Sequence, residues 1–402
     1  MVIRMSYSRV VEQSDQAIRE LTEAGEQILG YIYPHFPLEI AMAHGLLPSL
    51  VRTSPSAGGG YESSLQTFAC SLTRNIFSQR ASGHLTTFSG IVFSGNTCDS
   101  LQNVGEVWRK RFPDDKTFRL TYPAAIPSES SVTFLAEELR KFSVAIDSEF
   151  KMPFSEELFK DAVALISEIR ESLQMLYAAR VLSPKLLEYS TLSSLITGFL
   201  TAPTTSVLDN VLEIRSSTME DLEMQVDRDL VSELQNAFLR KDLMDIGKFD
   251  ESISIRLLLV GGMIETNALS EFLKSVPNFS EDMIILDLLS YGFKTAFTPS
   301  ISLVGDPFEN SARAILGSLG EPTQEGLSDR VRFLKEILSK LSINGLIICE
   351  QSFCDPDEFE APSLARAAED LQVPSVRLPI DPELSDRVRL EGRIQTFLET
   401  LM

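Results

Sequence analysis

Residues 90–99 read Gly-Ile-Val-Phe-Ser-Gly-Asn-Thr-Cys-Asp, and residues 345–355 read Gly-Leu-Ile-Ile-Cys-Glu-Gln-Ser-Phe-Cys-Asp. Each stretch is an apolar run, rich in β-branched or aromatic residues, that ends in a polar Cys-Asp turn. This pattern predicts a buried strand that carries a cysteine to its C-terminal end, Cys98 in one stretch and Cys354 in the other. Ligands of open α/β sheets bind at that edge. The two stretches therefore predict an α/β fold in which two units build one site.

Strand and helix patterns alternate through the first part of the chain. Strands are predicted at residues 30–33, 46–51, 88–94 and 118–122, and helices at residues 8–29, 38–43, 64–80 and around residues 104–108. Cys70 falls near the start of the third of these helices. Such alternation is typical of a parallel sheet with helical crossovers.

The middle of the chain is predicted to be helical, and alternation resumes after it. Helical patterns occupy residues 131–245, with a break at 200–206. Strands are then predicted at residues 254–260, at residues 283–287, before Cys354 and at residues 375–379. Helices are predicted at residues 267–276, 324–341, 361–371 and 383–401. We therefore predict two Rossmann-like parallel-sheet domains joined by a helical segment. The predicted boundaries are residues 1–130 with Cys70 and Cys98, residues 131–250 for the helical segment, and residues 251–402 with Cys354.

Composition and charge exclude several classes of protein. The chain has 402 residues, of which 44% are apolar and 23% charged, as in an ordinary globular protein. A net charge of −21 argues against binding to nucleic acid or to anionic membranes. Since no apolar run approaches the roughly 20 residues of a membrane span and the N-terminus lacks a signal-peptide core, we expect a cytoplasmic protein. Its four cysteines are then expected to be thiols or ligands rather than disulfides.

Three interpretations of the cysteines compete. Free cysteines are often small buried core residues, which suits Cys349 inside its strand but suits Cys98 and Cys354 poorly, because both follow the apolar run. Structural zinc favours close cysteine pairs, which Cys70, Cys98 and Cys354 do not form, and catalytic zinc favours histidines, of which there are three. The third interpretation is a [4Fe–4S] cluster on three thiolates with its fourth position open.

Several segments, taken in order, resemble one known family. They are residues 30–48 with Pro-Leu-Glu and Gly-x-x-Pro elements, residues 68–74 around Cys70, residues 90–108 around Cys98, residues 352–362 around Cys354, and the closing residues 392–399. In them the chain resembles subunits of 2-hydroxyacyl-CoA dehydratases and benzoyl-CoA reductases, including the D-component of 2-hydroxyglutaryl-CoA dehydratase. Just before the last segment, Val388-Arg389 replaces the usual Gly-Gln.

The resemblance implies an iron–sulfur subunit of an ATP-activated enzyme that acts on acyl-CoA thioesters. Family members pair with a paralogous subunit, and an ATP-dependent iron–sulfur activator protein supplies single electrons at low potential. Dehydratases use the electron to form a radical that expels a hydroxyl group, whereas reductases transfer electrons to an aromatic ring. Carried onto this chain, Cys70, Cys98 and Cys354 hold one [4Fe–4S] cluster. A catalytic subunit and a non-catalytic electron-relay or assembly subunit are both left open.

Five more residues are expected either on the substrate side of this site or directly behind the groups that contact substrate. His35 and Glu39 are the catalytic candidates, and Phe36, Asn96 and Gln351 are the substrate-binding candidates, because the turns that carry them should line the same edge. Ordinary interpretations exist for two of them. A carboxylate such as Glu39 is typical of the first turn of a helix, and a loop histidine such as His35 is often solvated.

Overall fold

The computed structural model describes residues 14–57, 59–85, 88–223, 228–243 and 253–402. Within these ranges the strands form two four-stranded sheets, and every pair of neighbouring strands is parallel. Helices flank both sheets, as in two Rossmann-like units. The predicted α/β fold is confirmed.

The first sheet has the strand order β2-β1-β3-β4. Its strands are β1 (Ile28–Tyr31), β2 (Leu47–Leu50), β3 (Gly90–Gly95) and β4 (Thr117–Thr121), and the helices of this half are α1 (Ser14–Glu23), α2 (Leu38–Ala43), α3 (Ser71–Ala81) and α4 (Asp99–Arg111). Every residue of β1, β2 and β3 is buried. Strands this apolar fit a parallel sheet that is covered on both faces.

Five helices lie between the two sheets in sequence. They are α5 (Glu129–Phe150), α6 (Glu156–Leu182), α7 (Tyr189–Thr201), α8 (Thr205–Glu223) and α9 (Arg228–Arg240). Helix α6 connects both halves through buried polar contacts. Arg170 donates to Glu39 of α2 at 2.7 Å, and Tyr177 donates to Asp287 in the second sheet at 2.7 Å.

The second sheet repeats the order of the first, as β6-β5-β7-β8. Its strands are β5 (Leu257–Gly261), β6 (Ile284–Leu288), β7 (Gly345–Gln351) and β8 (Ser375–Ile380), and its helices are α10 (Thr266–Lys274), α11 (Pro307–Gly317), α12 (Leu327–Lys340), α13 (Asp355–Glu369) and α14 (Arg387–Leu401). Strands β3 and β7 hold equivalent places, each beside the first strand of its sheet. Cys98 and Cys354 therefore follow equivalent strands, at the point where the strand order reverses.

Several predicted element boundaries were wrong. The helix predicted at 8–29 begins outside the described residues, and its described part ends at Glu23, because Gly25 adopts a positive φ of 96° after it. Ile28 consequently belongs to β1. Helix α11 was not predicted.

The two helices that follow Cys70 and Cys354 also start elsewhere than predicted. Helix α3 starts at Ser71 rather than at residue 64, because the Ser71 N–H donates to the Ser352 carbonyl at 2.9 Å and Cys70 is extended. Helix α13 starts at Asp355 rather than at residue 361, with Pro356 in its first turn, a position that suits proline.

The largest hydrophobic core cluster contains residues of both sheets and of the helices between them, among them Leu29, Leu135 and Leu258. The boundaries at residues 130 and 250 stay a prediction. In the described ranges, no helix is long and apolar enough to cross a membrane.

Candidate functional site

Cys70, Cys98 and Cys354 each occupy the residue directly before a helix, namely α3, α4 and α13. The first N–H groups of a helix lack partners within the helix, and they give its N-terminus a partial positive charge. At none of the three positions does the cysteine accept a capping hydrogen bond of regular geometry. Each sulfur therefore stands beside partly positive backbone N–H groups, which by themselves favour its thiolate form.

Backbone N–H groups of the first helical turns act on all three sulfurs. The N–H groups of Leu72 and Thr73 favour the thiolate form of Cys70. The N–H groups of Ser100 and Leu101 favour the thiolate form of Cys98, and the N–H group of Asp357 favours the thiolate form of Cys354. Burial opposes them and raises the pKa of Cys98 to about 12. The protein alone thus keeps this thiol protonated at neutral pH.

The thiols of Cys70 and Cys354 interact with each other. Their hydrogen bond lowers the pKa of Cys70 and, together with burial, raises that of Cys354. Cys70 belongs to the first half of the chain and Cys354 to the second. Gln351 Nε2 donates to Ser71 Oγ at 2.5 Å nearby, so the two halves meet closely beside these cysteines.

All three cysteines line one cavity of about 460 Å³ between the halves. Its other lining residues come from the turn after β3, from Ala124, from residues 322–327, from Arg330 and from the start of α13. This volume lies in the range of small-molecule sites. Cys349 does not line this cavity: it is buried in β7, where burial raises its pKa.

Residues 321–325, called the wall segment here, include the cavity-lining residues 322–325 and are fixed by a buried ion cluster. The Glu321 carboxylate lies 3.2 Å from Lys294 Nζ and 3.2 Å from His35 Nε2, and it accepts a hydrogen bond from Ser290 Oγ at 2.5 Å. Burial by itself would raise the pKa of Glu321, but Lys294, His35 and Ser290 lower it to about 2. Glu321 is therefore a buried carboxylate that stays ionised.

The first half of the chain holds the wall segment at two further points. The Glu325 N–H donates to the Ala124 carbonyl at 2.8 Å, and Tyr33 Oη lies 3.1 Å from Thr323 Oγ1. These contacts fix the wall segment relative to Cys98, which belongs to the same half.

Arg330 holds the wall segment from the second half. Its guanidinium binds Glu360 through two hydrogen bonds of 2.9 and 3.0 Å and donates to the Gln324 carbonyl at 3.2 Å. Both Arg330 and Glu360 line the cavity and are buried, so their charges are paired rather than free to bind a ligand.

The structure places His35, Phe36 and Glu39 behind the cavity, and none of the three is among the described residues that line it. His35 reaches the back of the wall segment through Glu321. Phe36 stacks on a tyrosine of β1 with ring centroids 4.6 Å apart, and Glu39 pairs with Arg170. Their catalytic and substrate-binding roles stay predictions.

Asn96 and Gln351 shape the cysteine turns rather than line the cavity. Asn96 is exposed and has a φ of 59°, and its side chain donates to the Tyr122 carbonyl at 2.9 Å. Gln351 is buried, and its backbone N–H donates to Asp357 at 3.0 Å. Substrate binding by Asn96 and Gln351 stays a prediction.

Sequence reasoning missed most of the polar cavity lining. Thr97 and Ser100 flank Cys98 and were within reach of the strand-end argument. Thr323 and Arg330 carry no such signal, because they lie more than 200 residues from Cys98, Thr323 just before helix α12 and Arg330 inside it. In the described ranges, no group of three or more His, Cys, Asp or Glu side chains is arranged to hold a metal ion.

The structure has two parallel-sheet units of equal strand order. Cysteines that follow equivalent strands line a cavity shared by the two units. These features define a two-unit α/β protein with a thiol-lined site. The chain belongs to the 2-hydroxyglutaryl-CoA dehydratase D-component family, whose sequence model matches residues 34–401. The predicted resemblance is confirmed.

Two relatives cover nearly the whole chain. The beta subunit of lactoyl-CoA dehydratase from Anaerotignum propionicum is 21% identical, over 94% of this chain and 93% of that protein. The beta subunit of (R)-phenyllactyl-CoA dehydratase from Clostridium sporogenes is 20% identical, over 98% of this chain and 97% of that protein.

Proposed function

We propose that this chain is a subunit of a 2-hydroxyacyl-CoA dehydratase that holds one [4Fe–4S] cluster on Cys70, Cys98 and Cys354 and receives an acyl-CoA thioester in the cavity they line. The observation that carries the proposal is that three cysteines, each directly before a helix and drawn from both halves of the chain, line one cavity. Family membership supports an acyl-CoA substrate. Both relatives are named dehydratases, which favours dehydration over aromatic reduction.

The residues present fit the cluster by their chemistry. Thiolates are its usual ligands, and the helix N-termini behind all three sulfurs favour the thiolate form. Polar and apolar residues, with no fourth cysteine among the described ones, line the rest of the cavity. When bound, the cluster would supply single electrons at low potential to the substrate thioester.

The chain itself would contribute position. The three cysteines come from both halves, so a ligand bound to them is held between two rigid sheets. The ion cluster around Glu321 and the Arg330–Glu360 pair fix the cavity wall without adding free charge to it.

The proposal includes partners. The relatives are beta subunits, which supports a paralogous partner subunit for this chain. An ATP-dependent iron–sulfur activator protein would deliver the electron. Action in the cytoplasm also stays a prediction from the sequence.

The iron content of four alanine variants tests the cluster assignment. Wild-type protein, purified anaerobically and reconstituted with iron and sulfide, is expected to be brown and to hold about four irons per chain. Cys70→Ala, Cys98→Ala and Cys354→Ala should each lose most of this iron, because each removes one of three ligands. Cys349→Ala is the matched control and should retain it, because Cys349 lies outside the cavity.

Two results would contradict the assignment. One is a colourless wild-type protein after reconstitution, and the other is full iron content in Cys98→Ala. Acyl-CoA binding separates the two possible roles: a relay subunit would hold iron without binding an acyl-CoA.

A further inference from the structure

The Thr323 hydroxyl lies on the cavity wall and is contacted from behind by Tyr33. Thr323 lines the same cavity as the three cysteines, and its Oγ1 lies 3.1 Å from Tyr33 Oη. Tyr33 is 3% exposed and packs on Tyr122 with ring centroids 4.6 Å apart, whereas Thr323 is only partly buried. The pair thus connects the closed core of the first half to the cavity surface.

Burial decides which of the two hydroxyl groups donates. In the described part of the chain, Thr323 Oγ1 is the hydrogen-bond partner of Tyr33 Oη, and a buried O–H without an acceptor is strongly disfavoured. Thr323 itself lines the cavity, so an acceptor bound there is within reach of its hydroxyl group. Both hydroxyl groups are satisfied when Tyr33 donates to Thr323 and Thr323 directs its own proton into the cavity.

The wall segment holds this donor in place before any ligand arrives. Glu321 is fixed by Lys294 and His35 on one side of Thr323, and the Glu325 N–H donates to a carbonyl of the first half on the other side. A donor fixed in advance loses little freedom on binding, so its hydrogen bond contributes more to recognition.

We infer that Thr323 contacts substrate and donates a hydrogen bond to an oxygen atom of the acyl group, and that Tyr33 is the positioning residue that sets the direction of this bond. The inference rests on the proposed function and adds the residue that recognises the acyl oxygen. A 2-hydroxyacyl thioester offers two such oxygens, the 2-hydroxyl and the thioester carbonyl. A donor at either oxygen would stabilise negative charge that develops there.

Binding of two acyl-CoA probes to three variants tests the inference. The probes are lactoyl-CoA and propionyl-CoA, which differ in the 2-hydroxyl group. Thr323→Val removes the hydroxyl group at nearly constant volume, Thr323→Ser keeps it, and Tyr33→Phe removes only the group that directs it. Dissociation constants are measured anaerobically by calorimetry on the iron-loaded full-length chain, in the complex in which it is isolated.

Thr323→Val is expected to weaken binding of lactoyl-CoA about five- to tenfold, the size of one hydrogen bond. Thr323→Ser should stay within about twofold of wild type, and Tyr33→Phe should give an intermediate loss. Iron content should equal that of wild type in all three variants, which separates loss of the donor from loss of the site.

Each outcome decides a point. If Thr323→Val weakens binding of lactoyl-CoA alone, the inference is supported and the 2-hydroxyl group is the acceptor. If it weakens binding of both probes equally, the inference is supported and the thioester carbonyl is the acceptor. Wild-type affinity of Thr323→Val for both probes overturns the inference and leaves the proposed function standing. Wild-type protein that holds iron but binds neither probe overturns the inference together with the catalytic role.

Discussion

At Cys70, Cys98 and Cys354 a sulfur atom stands where serine, threonine or aspartate oxygens usually cap a helix. An oxygen atom at this position normally accepts a hydrogen bond from an N–H group in the first turn of the helix, and it is therefore not available to another ligand. A sulfur in the same place makes no regular capping bond here and remains available. The three residues therefore give up some helix stability and leave three sulfur atoms at the cavity.

At the residue scale, Glu321 should make stability depend on acid pH. Its pKa is lowered from 4.5 to about 2 in the folded chain, so it stabilises the fold fully above about pH 4.5. That contribution, roughly 3 kcal/mol, is lost as the pH falls from about 4.5 to 2. Glu321→Gln leaves Lys294 buried without its partner and should cost about 3–5 kcal/mol at pH 7.

Urea unfolding at pH 7 and at pH 3 measures this effect. The difference in the free energy of unfolding between wild type and Glu321→Gln should be smaller at pH 3, because the wild-type carboxylate contributes less stability there. Glu325→Gln is the control, since Glu325 is exposed on the same segment and should match wild type at both pH values. An equal difference in the free energy of unfolding at both pH values would contradict the assignment of a low pKa to Glu321.

Among single residues, the cysteines were predictable and the cavity wall was not. Cys98 and Cys354 follow apolar runs, so local pattern alone places them at strand ends. Thr323 owes its position to Tyr33, 290 residues earlier, and to the ion cluster around Glu321. A single sequence carries no periodic signal for such long-range polar contacts.

At the scale of elements, helix α4 lies unusually close to strand β3. A Cβ atom at Gly105 of α4 would lie 2.9 Å from the Cβ and Cγ atoms of Phe93. Glycine is therefore required for this packing, although it weakens the helix by itself. Because α4 begins right after Cys98, the close packing also fixes the position of that sulfur.

Gly105→Ala should destabilise the protein by about 1–2 kcal/mol, because overpacking outweighs the gain in helix propensity. Gly392→Ala in helix α14 is the control: nothing lies within 4 Å of the added Cβ, so it should stabilise by up to about 1 kcal/mol. The measurement is the free energy of unfolding in urea. Equal effects of the two substitutions would show that α4 can move away from β3.

Element types were easier to predict than element boundaries. All eight described strands lie in or near predicted segments because each is a short apolar run. The first residues of helices were harder to predict. Helix α3, for example, begins where the Ser71 N–H donates a hydrogen bond to the Ser352 carbonyl of the other half. Helix α11 escaped prediction because its capping residue, Asp306, follows an irregular stretch.

At the scale of the whole molecule, the halves are joined at the cysteines and through α6. The contact of Cys70 with Cys354 crosses between the halves, as do the bonds from Arg170 and Tyr177 of α6. The predicted pairing of two α/β units at one site agrees with this arrangement. Which surfaces of the units meet depends on buried polar contacts that no local pattern reveals.

Oxidation of the metal-free protein should link Cys70 to Cys354. Their thiols already interact, so hydrogen peroxide can take two electrons and two protons from them, forming one disulfide and two water molecules. Peptide mapping without reductant, after chelation of iron, identifies the linked pair. The disulfide should also prevent iron uptake until a reductant is added.

Cys349→Ala should give the same linked pair, and Cys354→Ala should give none. A disulfide between Cys70 and Cys98 as the main product would contradict the close contact of Cys70 with Cys354.

The separation of the cysteines along the chain has a consequence for biosynthesis. Cys354 is synthesised 256 residues after Cys98, and β8 and α14 follow it. The three-sulfur site therefore cannot form on a nascent chain before synthesis has passed β7. Under the proposed function, loading of the cluster would have to wait until then, so a translation product truncated before Cys354 should not capture iron at this site.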